Sequence, residues 1–172
     1  MLSFPESTSF TWRVSVKTAP QKQRFIIIVG FHTGKDGDQT KNPSTIDHVN
    51  LKNAFVTLNS DRYPAVDYNL SYFNQKFFMA YGDAALFGVK FLGMDELITQ
   101  SNITLCDYKT FYPLFTFDVS KQKEKHKSSV LDIEIKANFT ENDPANTSAF
   151  ALVISDKMLS FQSDGNKMSV IY

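Results

Sequence analysis

The run RFIIIVGF, residues 24–31, constrains the fold of this chain more than any other stretch. Its apolar residues follow one another without the polar alternation of a strand that has one wet face. The run therefore predicts a strand that is covered on both faces. A polar loop follows, and residues 50–58 then alternate between apolar and polar positions, which predicts a second, half-buried strand. We expect the rest of the chain to be organised around this strand–loop–strand unit, which extends to Pro64.

Alternation with a period of two recurs in most of the remaining chain and predicts further strands. Pro113 lies near the start of one of these segments, which suits an edge position or a strand start. The last two segments are predicted to form a hairpin that turns near Asp164, Gly165 and Asn166. The segments are FTWRVSVKT (10–18), FYPLFTFDV (111–119), VLDIEIKANF (130–139), SAFALVISD (148–156), MLSFQ (158–162) and GNKMSVIY (165–172).

Residues 74–91 break the strand pattern, because their aromatic and apolar side chains recur at helical spacing. We predict a helix here with Asn74 as its N-cap, and a short helical turn over Met94–Thr99. About eight strands, long loops and an inserted helix predict an all-β, antiparallel jelly-roll sandwich. An immunoglobulin-type sandwich is disfavoured, since no Cys–Trp–Cys pattern is present. The 172 residues are predicted to form one domain, with residues 1–9 as a flexible lead-in.

The composition narrows the classes of partner and compartment. Lys plus Arg and Asp plus Glu both number 18, so the chain lacks the strongly basic balance of a nucleic-acid-binding domain. Cys106 is the only cysteine, which excludes an intramolecular disulfide and favours a reducing compartment. No signal peptide is recognisable, and no apolar run approaches the roughly 18 residues of a membrane helix. We expect an intracellular location and no membrane partner.

The candidate chemical groups are few and dispersed. His32, His48 and His126 stand outside any metal-binding or catalytic motif, so we expect no metal and no cofactor. Asp47 and His48 are adjacent, but neighbours on an extended chain point to opposite faces, so a structural role is favoured over a catalytic dyad. Cys106 has no accompanying histidine signature and is predicted to be a half-buried spectator. The sequence therefore predicts a non-enzymatic protein.

Two further segments resemble binding motifs only superficially. The loop GKDGD, residues 34–38, has acidic residues at alternate positions but lacks the twelfth-position Glu of a calcium loop, so a turn is predicted. The lysine-rich run at 121–127 lacks interleaved aromatic residues, and we interpret it as a solvated loop.

The strand–loop–strand unit resembles the second jelly roll of the major capsid proteins of Polinton/Maverick elements and adintovirus-like viruses. In that family a strand ending in Gly leads to a Lys-Asn-Pro-x-x-x-x-His-x-Asn-Leu signature. The residues that match it are Lys41, Asn42, Pro43, His48, Asn50 and Leu51. The closing segments also resemble the family, most clearly in the loop Pro144–Thr147. The likeness spans roughly residues 10–162.

The resemblance implies a viral-type structural protein without an active site. Proteins of that family carry two jelly rolls in tandem and form trimeric, pseudo-hexagonal capsomers. This chain departs from the family in having only one jelly roll, with a Met at its start. We expect it to be either an excised half of a longer protein or the product of a short gene descended from one. The implied partners are another copy, a tandem jelly roll or other capsid proteins, with no sequence-specific binding of nucleic acid. The implied location is the virion, the cytoplasm or the nucleus.

The family signature and its neighbours supply the candidate site, which we interpret as loop architecture or interface. Replacing Pro43 and His48 by Ala should then lower stability or association. The candidates are Lys41, Asn42, Pro43, Asp47, His48, Asn50, Pro144 and Asn146.

Other functions stay open. A jelly roll also serves as a stand-alone module that binds a protein or a carbohydrate, so the fold does not decide between the two. A cupin-type metalloenzyme is a third possibility, against which the sparse histidines argue. If a partner roll is missing, apolar surface should be exposed, and Trp12 and the Phe77–Phe78 pair are the candidates for it.

Overall fold

The computed structural model describes residues 2–3, 6–15, 25–35, 38–58, 61–87, 103–119, 132–155, 160–163, 165 and 168–171. Within these residues the chain forms ten strands and two helices. In chain order they are β1 (Leu2–Ser3), β2 (Ser9–Ser15), β3 (Phe25–Thr33), β4 (Leu51–Leu58), β5 (Asp61–Tyr63), α1 (Phe78–Ala85), α2 (Leu105–Thr110), β6 (Phe115–Asp118), β7 (Asp132–Phe139), β8 (Thr147–Ser155), β9 (Ser160–Ser163) and β10 (Met168–Ile171).

Eight of the strands form two antiparallel sheets, ordered β1-β8-β3-β6 and β2-β7-β4-β5. The pairs β1–β8, β2–β7, β3–β6 and β4–β5 are all hydrogen-bonded, as in one long hairpin of four strand pairs that has been rolled up. This is the pairing pattern of a jelly roll. The predicted eight-stranded jelly-roll sandwich is confirmed. Strands β9 and β10 form a separate hairpin at the expected place.

Strand β3 is the buried strand that the sequence predicted. It pairs with β6 on one side and β8 on the other. Ile27, Val29 and Phe31 point into the sandwich and are at most 1% exposed. On the opposite face Ile26 and His32 are also buried, so both faces are covered at these positions. Burying each of these side chains contributes about 1.5–3 kcal/mol, so β3, an internal strand of its sheet, is a large part of the core.

Gly30 occupies the outward face of β3 because a neighbouring ring takes the space of a side chain. Phe150 lies directly opposite it on β8. A Cβ atom at Gly30 would come within 2.3 Å of the Phe150 Cζ atom. The glycine in RFIIIVGF therefore reflects side-chain packing across the sheet.

The facing sheet supplies the other half of the core through β4 and β7. A bulge between Leu51 and Asn53 shifts the β4 register, so that Leu51 and Ala54 both point inward. The bulge explains why the apolar positions of this strand are unevenly spaced in the sequence. The inward residues of the two strands are Leu51, Ala54, Val56, Leu58, Ile133, Ile135, Ala137 and Phe139.

The predicted lead-in, residues 1–9, contains a short strand. Leu2 and Ser3 form β1 and pair with Ala149 and Ser148 of β8. A two-residue strand has too short a pattern to be visible in a sequence, and the exposed edge of β8 determines it.

The helices also differ from the prediction. Helix α1 starts at Phe78, after an N-cap residue, Phe77, that makes no side-chain capping bond. Asn74, predicted to be the cap, instead donates its side-chain amide to the hydroxyl of Ser71 in the preceding turn, at 3.0 Å. The predicted turn at Met94–Thr99 lies outside the described residues, as do the lysine-rich run and the Asp36–Gly37 turn. In the described part of the chain no helix is long and apolar enough to span a membrane.

Candidate functional site

Four connections meet at one end of the sandwich, which we call the loop end. They are the β1–β2, β3–β4, β5–β6 and β7–β8 connections, and each crosses from one sheet to the other. Backbone amides join them: Gly34 N donates to Asn146 O at 3.1 Å, and Ile46 N donates to Phe111 O at 2.8 Å. All eight predicted site residues lie at this end, on the β3–β4 and β7–β8 connections.

The Lys-Asn-Pro segment forms a turn held by its own side chains. The Oδ1 atom of Asn42 accepts a hydrogen bond from Ser44 N at 2.9 Å, which encloses Pro43 in an Asx turn. Thr45 Oγ1 donates to the Asn42 carbonyl at 2.9 Å. Lys41 Nζ donates to the Gly34 carbonyl at 3.3 Å, which brings the turn back to the end of β3. Within the chain, these residues shape the loop.

Asp47 anchors the β3–β4 loop to β3. Its Oδ2 atom accepts hydrogen bonds from Thr33 N and Oγ1 at 3.0 and 2.8 Å. Its Oδ1 atom accepts from Lys35 Nζ at 2.9 Å, and the Lys35 side chain is only 10% exposed. Burial alone would raise the pKa of Asp47, but the hydrogen bonds from Lys35 and Thr33 outweigh it and lower that pKa. The carboxylate is thus committed to structure.

His48 turns away from Asp47 and packs on the ring of Tyr72. The ring centroids are 4.3 Å apart and the planes differ by 13°. The Nδ1 atom accepts a hydrogen bond from Asn50 N at 3.1 Å, so the proton of the neutral ring is on Nε2. Burial and the nearby charge of Lys109 lower the pKa of His48, which keeps the ring neutral. Because the two side chains have separate partners, Asp47 and His48 form no dyad.

The backbone after His48 turns sharply into β4. Val49 and Asn50 both have positive φ angles, 43° and 49°, and the chain turns through them into β4. A left-handed conformation is uncommon for Asn and costly for a β-branched residue such as Val. Val49 is buried in the core, and that burial helps to hold the turn.

A column of rings connects His48 to the two helices. Tyr72 stacks on Phe77 at 5.4 Å, and Phe77 lies 6.2 Å from Tyr108 of α2. Tyr72, Phe77 and Tyr108 are all buried. Burial raises the pKa of both tyrosines, so they stay neutral across the physiological range. The loop end therefore rests on an aromatic core.

A cleft of about 440 Å³ opens beside this column. It brings together four of the eight predicted site residues; Lys41, Asn42, Pro43 and Asn146 lie outside its lining. Asn146 helps to join the two loops through its backbone: its carbonyl accepts the hydrogen bond from Gly34 N, and its φ angle is 61°. The lining residues are Thr33, Ile46, Asp47, His48, Val49, Asn50, Lys109, Thr110 and Pro144.

Sequence reasoning missed the helix α2, which brings Lys109 and Thr110 to the cleft. Its N-terminus is capped by Thr104, whose Oγ1 accepts from Asp107 N at 3.1 Å and donates to Asp107 Oδ2 at 2.7 Å. The Thr-x-x-Asp spacing was the available signal, as a variant of the capping box. Lys35 was also missed, because nothing local marks a lysine that will be buried against an aspartate.

The other candidate groups are dispersed. His32 is buried on β3, and its Nε2 atom has no hydrogen-bond partner in the described structure. Cys106 is exposed on α2, whereas the sequence predicted a half-buried side chain. His126 lies outside the described residues. Among the residues that are described, no three His, Cys, Asp or Glu side chains are grouped so as to hold a metal ion.

Comparison with protein families agrees with this architecture. A family model for a double jelly roll-like domain matches residues 2–159. The chain belongs to the double jelly roll-like domain family. The match covers all eight strands of the two sheets, and domains of this capsid-like type are generally structural. No curated protein and no solved structure matches the chain.

Proposed function

We propose that this protein is a capsid-type structural protein that associates with copies of itself through its connections and sheet faces. The observation that supports the proposal is the placement of its exposed apolar side chains. Among the described residues nine large hydrophobic side chains are exposed, and seven of them lie on the β5–β6 connection. These seven are Val66, Phe73, Phe78, Met79, Leu86, Phe111 and Tyr112.

Concentration in one connection is the informative feature. Single exposed hydrophobic residues are normal on a monomer, but here Phe78 and Met79 of α1 form one exposed neighbouring pair, and Phe111 and Tyr112 after α2 form another. Neighbouring exposed apolar side chains of this kind favour a contact surface. The formal net charge of zero adds no overall repulsion between copies. Trp12, also considered for such a surface, packs against the core, and Phe77 is 3% exposed, whereas Phe78 is 66% exposed.

The resemblance to the second jelly roll of Polinton/Maverick major capsid proteins supports the finer form of this proposal. The signature residue Asn42 shapes the β3–β4 loop, and the carbonyl of Asn50 accepts a hydrogen bond from Thr140 N of the β7–β8 connection at 3.0 Å. The signature therefore lies where two loops meet. In this form the partners are other copies, a tandem jelly roll or other capsid proteins. The location is the virion or the interior of the host cell, with no membrane partner and no sequence-specific binding of nucleic acid.

Sedimentation velocity at increasing protein concentration, combined with negative-stain electron microscopy, tests the proposal. We expect the weight-average sedimentation coefficient to rise with concentration and discrete oligomers to appear on the grids. A strict monomer at about 100-fold the concentration of the first measurement, with no particles, would contradict self-association.

A binding module is the second candidate, and one feature favours it. Phe73 is 95% exposed at the tip of a tight turn in which Ser71 and Lys76 exchange two backbone hydrogen bonds, at 3.0 and 2.8 Å. It borders a cleft of about 280 Å³ that also contains Asn50 and Glu141. An apolar wall beside a few polar groups is typical of small-ligand sites.

A glycan array and a pull-down separate this candidate from the first. One saturable ligand that is lost on Phe73→Ala, while sedimentation of the protein is unchanged, would favour the binding module. Blank arrays together with concentration-dependent association would favour the capsid-type function.

A further inference from the structure

Helix α1 is apolar on both of its faces. Phe77, Ala80, Tyr81 and Ala84 pack inward, where Tyr81 Oη donates to the Ile103 carbonyl at 3.0 Å. A helix that is hydrophobic all round is usually buried all round. The outward face of α1 carries three exposed side chains, Phe78 (66% exposed), Met79 (48%) and the C-cap residue Leu86 (44%). Together with the half-buried Gly82 they form what we call the α1 stripe.

The α1 stripe carries no charge. Asp83 is the only Asp, Glu, Lys, Arg or His of α1, and its carboxylate accepts a hydrogen bond from Tyr68 Oη at 2.8 Å. No basic residue lies in the last turn of α1 and no acidic residue in its first. Helices that lie on membrane surfaces carry Lys and Arg along their polar faces, so this composition favours a protein partner over a lipid surface.

The spacing of the stripe is symmetric about Gly82. Phe78 and Leu86 stand four residues before and after it, so the three residues form one row along the helix over about 12 Å. A Cβ atom at Gly82 would meet nothing within 4 Å, so the row has a gap at its centre between two large side chains. Rows with this spacing interlock when two helices cross at about 50°.

We infer that the α1 stripe is a contact between two copies of this chain, related by a two-fold axis that passes between their Gly82 residues. In an antiparallel crossing Phe78 of one copy packs against Leu86 of the other, and the same contact repeats across the axis. The two glycines face each other and let the helices approach closely. This inference rests on the proposed self-association and names the surface that carries it.

The area of the stripe sets the expected strength of the contact. Its three large side chains expose roughly 300 Å² per copy, so a pair of copies would bury roughly 600 Å² from the stripe alone. Specific, stable interfaces bury about 1,200–2,000 Å². The contact should therefore be weak in solution and depend on concentration, as suits subunits that are held by several contacts at once.

Gly82→Lys and Gly82→Glu are the decisive variants, because they alter the contact without removing any packing inside the monomer. Lys and Glu are better helix formers than Gly, so the melting temperature of each variant should stay equal or rise. Two like charges would meet at the axis, and the dissociation constant should increase about 100-fold or more. An equimolar mixture of the two variants should regain association, because opposite charges then face each other.

Sedimentation equilibrium from about 10 μM to 1 mM measures these effects, with Phe161→Glu as the matched control. Phe161 is a phenylalanine of similar exposure, 62%, that lies on β9 away from the stripe, and its replacement should leave association unchanged. A wild-type protein that stays monomeric would remove the proposed function itself. Wild-type association that persists in Gly82→Lys, is lost equally in Phe161→Glu, or is not restored in the mixture would overturn only the assignment to the α1 stripe.

Discussion

Replacing Gly30 by Ala tests whether the ring of Phe150 occupies the outer face of β3 as the structure shows. A Cβ atom at position 30 would lie 2.3, 2.7 and 3.0 Å from three ring atoms, whereas ordinary contacts begin at 3.4 Å. The ring would have to move by more than about 1 Å. Because strands β3 and β8 are paired over their whole length, the backbone offers little room, and the ring must rotate outward.

The magnitude follows from two opposing effects. Overpacking of this kind costs about 1–3 kcal/mol in free energy of unfolding. Ala in place of Gly within a strand returns about 0.5–1 kcal/mol through the lower entropy of the unfolded chain. We expect a net loss of about 1–2 kcal/mol in free energy of unfolding. Each kcal/mol lowers the melting temperature of a domain of this size by about 2–4 °C.

Urea denaturation followed by tryptophan fluorescence measures the loss as a lower midpoint with an unchanged slope. In a double-mutant cycle with Phe150→Ala, the cost of Gly30→Ala should disappear, since the obstructing ring is gone. Gly82→Ala is the matched control: its Cβ atom meets nothing, so stability should rise. If Gly30→Ala were as stable as the wild type, or the cost persisted without Phe150, the packing argument would be wrong.

Three further predictions concern the loop end. The pKa of His48 is lowered in the folded state, so the stability that the neutral ring contributes is present above pH 6.5 and declines as the pH falls through the folded value. His48→Gln should therefore flatten the dependence of the urea midpoint on pH between 7 and 5. An unchanged dependence would contradict the buried, neutral ring. Asp47→Asn should cost about 1.5–3 kcal/mol at pH 7, because the buried Lys35 would lose its charged partner and keep only the two oxygens of Thr45. The pKa of Asp47 is lowered from 3.8 in the folded state, so this stability is present above pH 3.8 and is lost as the pH falls through the lower folded value. Thermal melts at pH 7 and at about pH 2 that show equal differences between variant and wild type would refute the ion pair. Thr104→Ala should lower the free energy of unfolding by about 1 kcal/mol and speed the exchange of backbone amide hydrogens in α2, whereas Thr104→Ser should keep these amides protected. Equal exchange rates in both variants would show that the cap is unimportant.

Local patterns predicted most of the strands and their burial. The alternation in β2 and β7 indicated half-buried strands correctly, because residues that alternate in sequence alternate between faces of a sheet. The continuous apolar run of β3 correctly indicated a strand that is covered on both faces. The final hairpin was also predicted, through its turn residues. The separation of Asp47 from His48 was predicted from the same alternation between faces, whereas the Asx turn at Asn42 became visible only in the structure. Whether these residues form an interface stays a prediction.

The short elements required tertiary structure. A two-residue strand such as β1 has no pattern of its own, and a six-residue helix such as α2 is marginal without the cap and the packing of Tyr108. The cleft at the loop end combines residues from connections that lie more than 90 positions apart in the chain. No local signal could have assigned Lys109 to the same cleft as His48 and Pro144.

The sequence by itself determined a jelly roll with a buried central strand, because hydrophobic periodicity dictates which side of each strand must leave water. It also indicated a helix within residues 74–91, where the structure has α1, but apolar composition alone cannot separate a core helix from a helix with an exposed face. Only the tertiary structure decided that Phe77 faces the core and Phe78 faces solvent, since that depends on where α1 packs against β6. The physical reason is that burial is a property of the assembled sheets, whereas periodicity is a property of the chain.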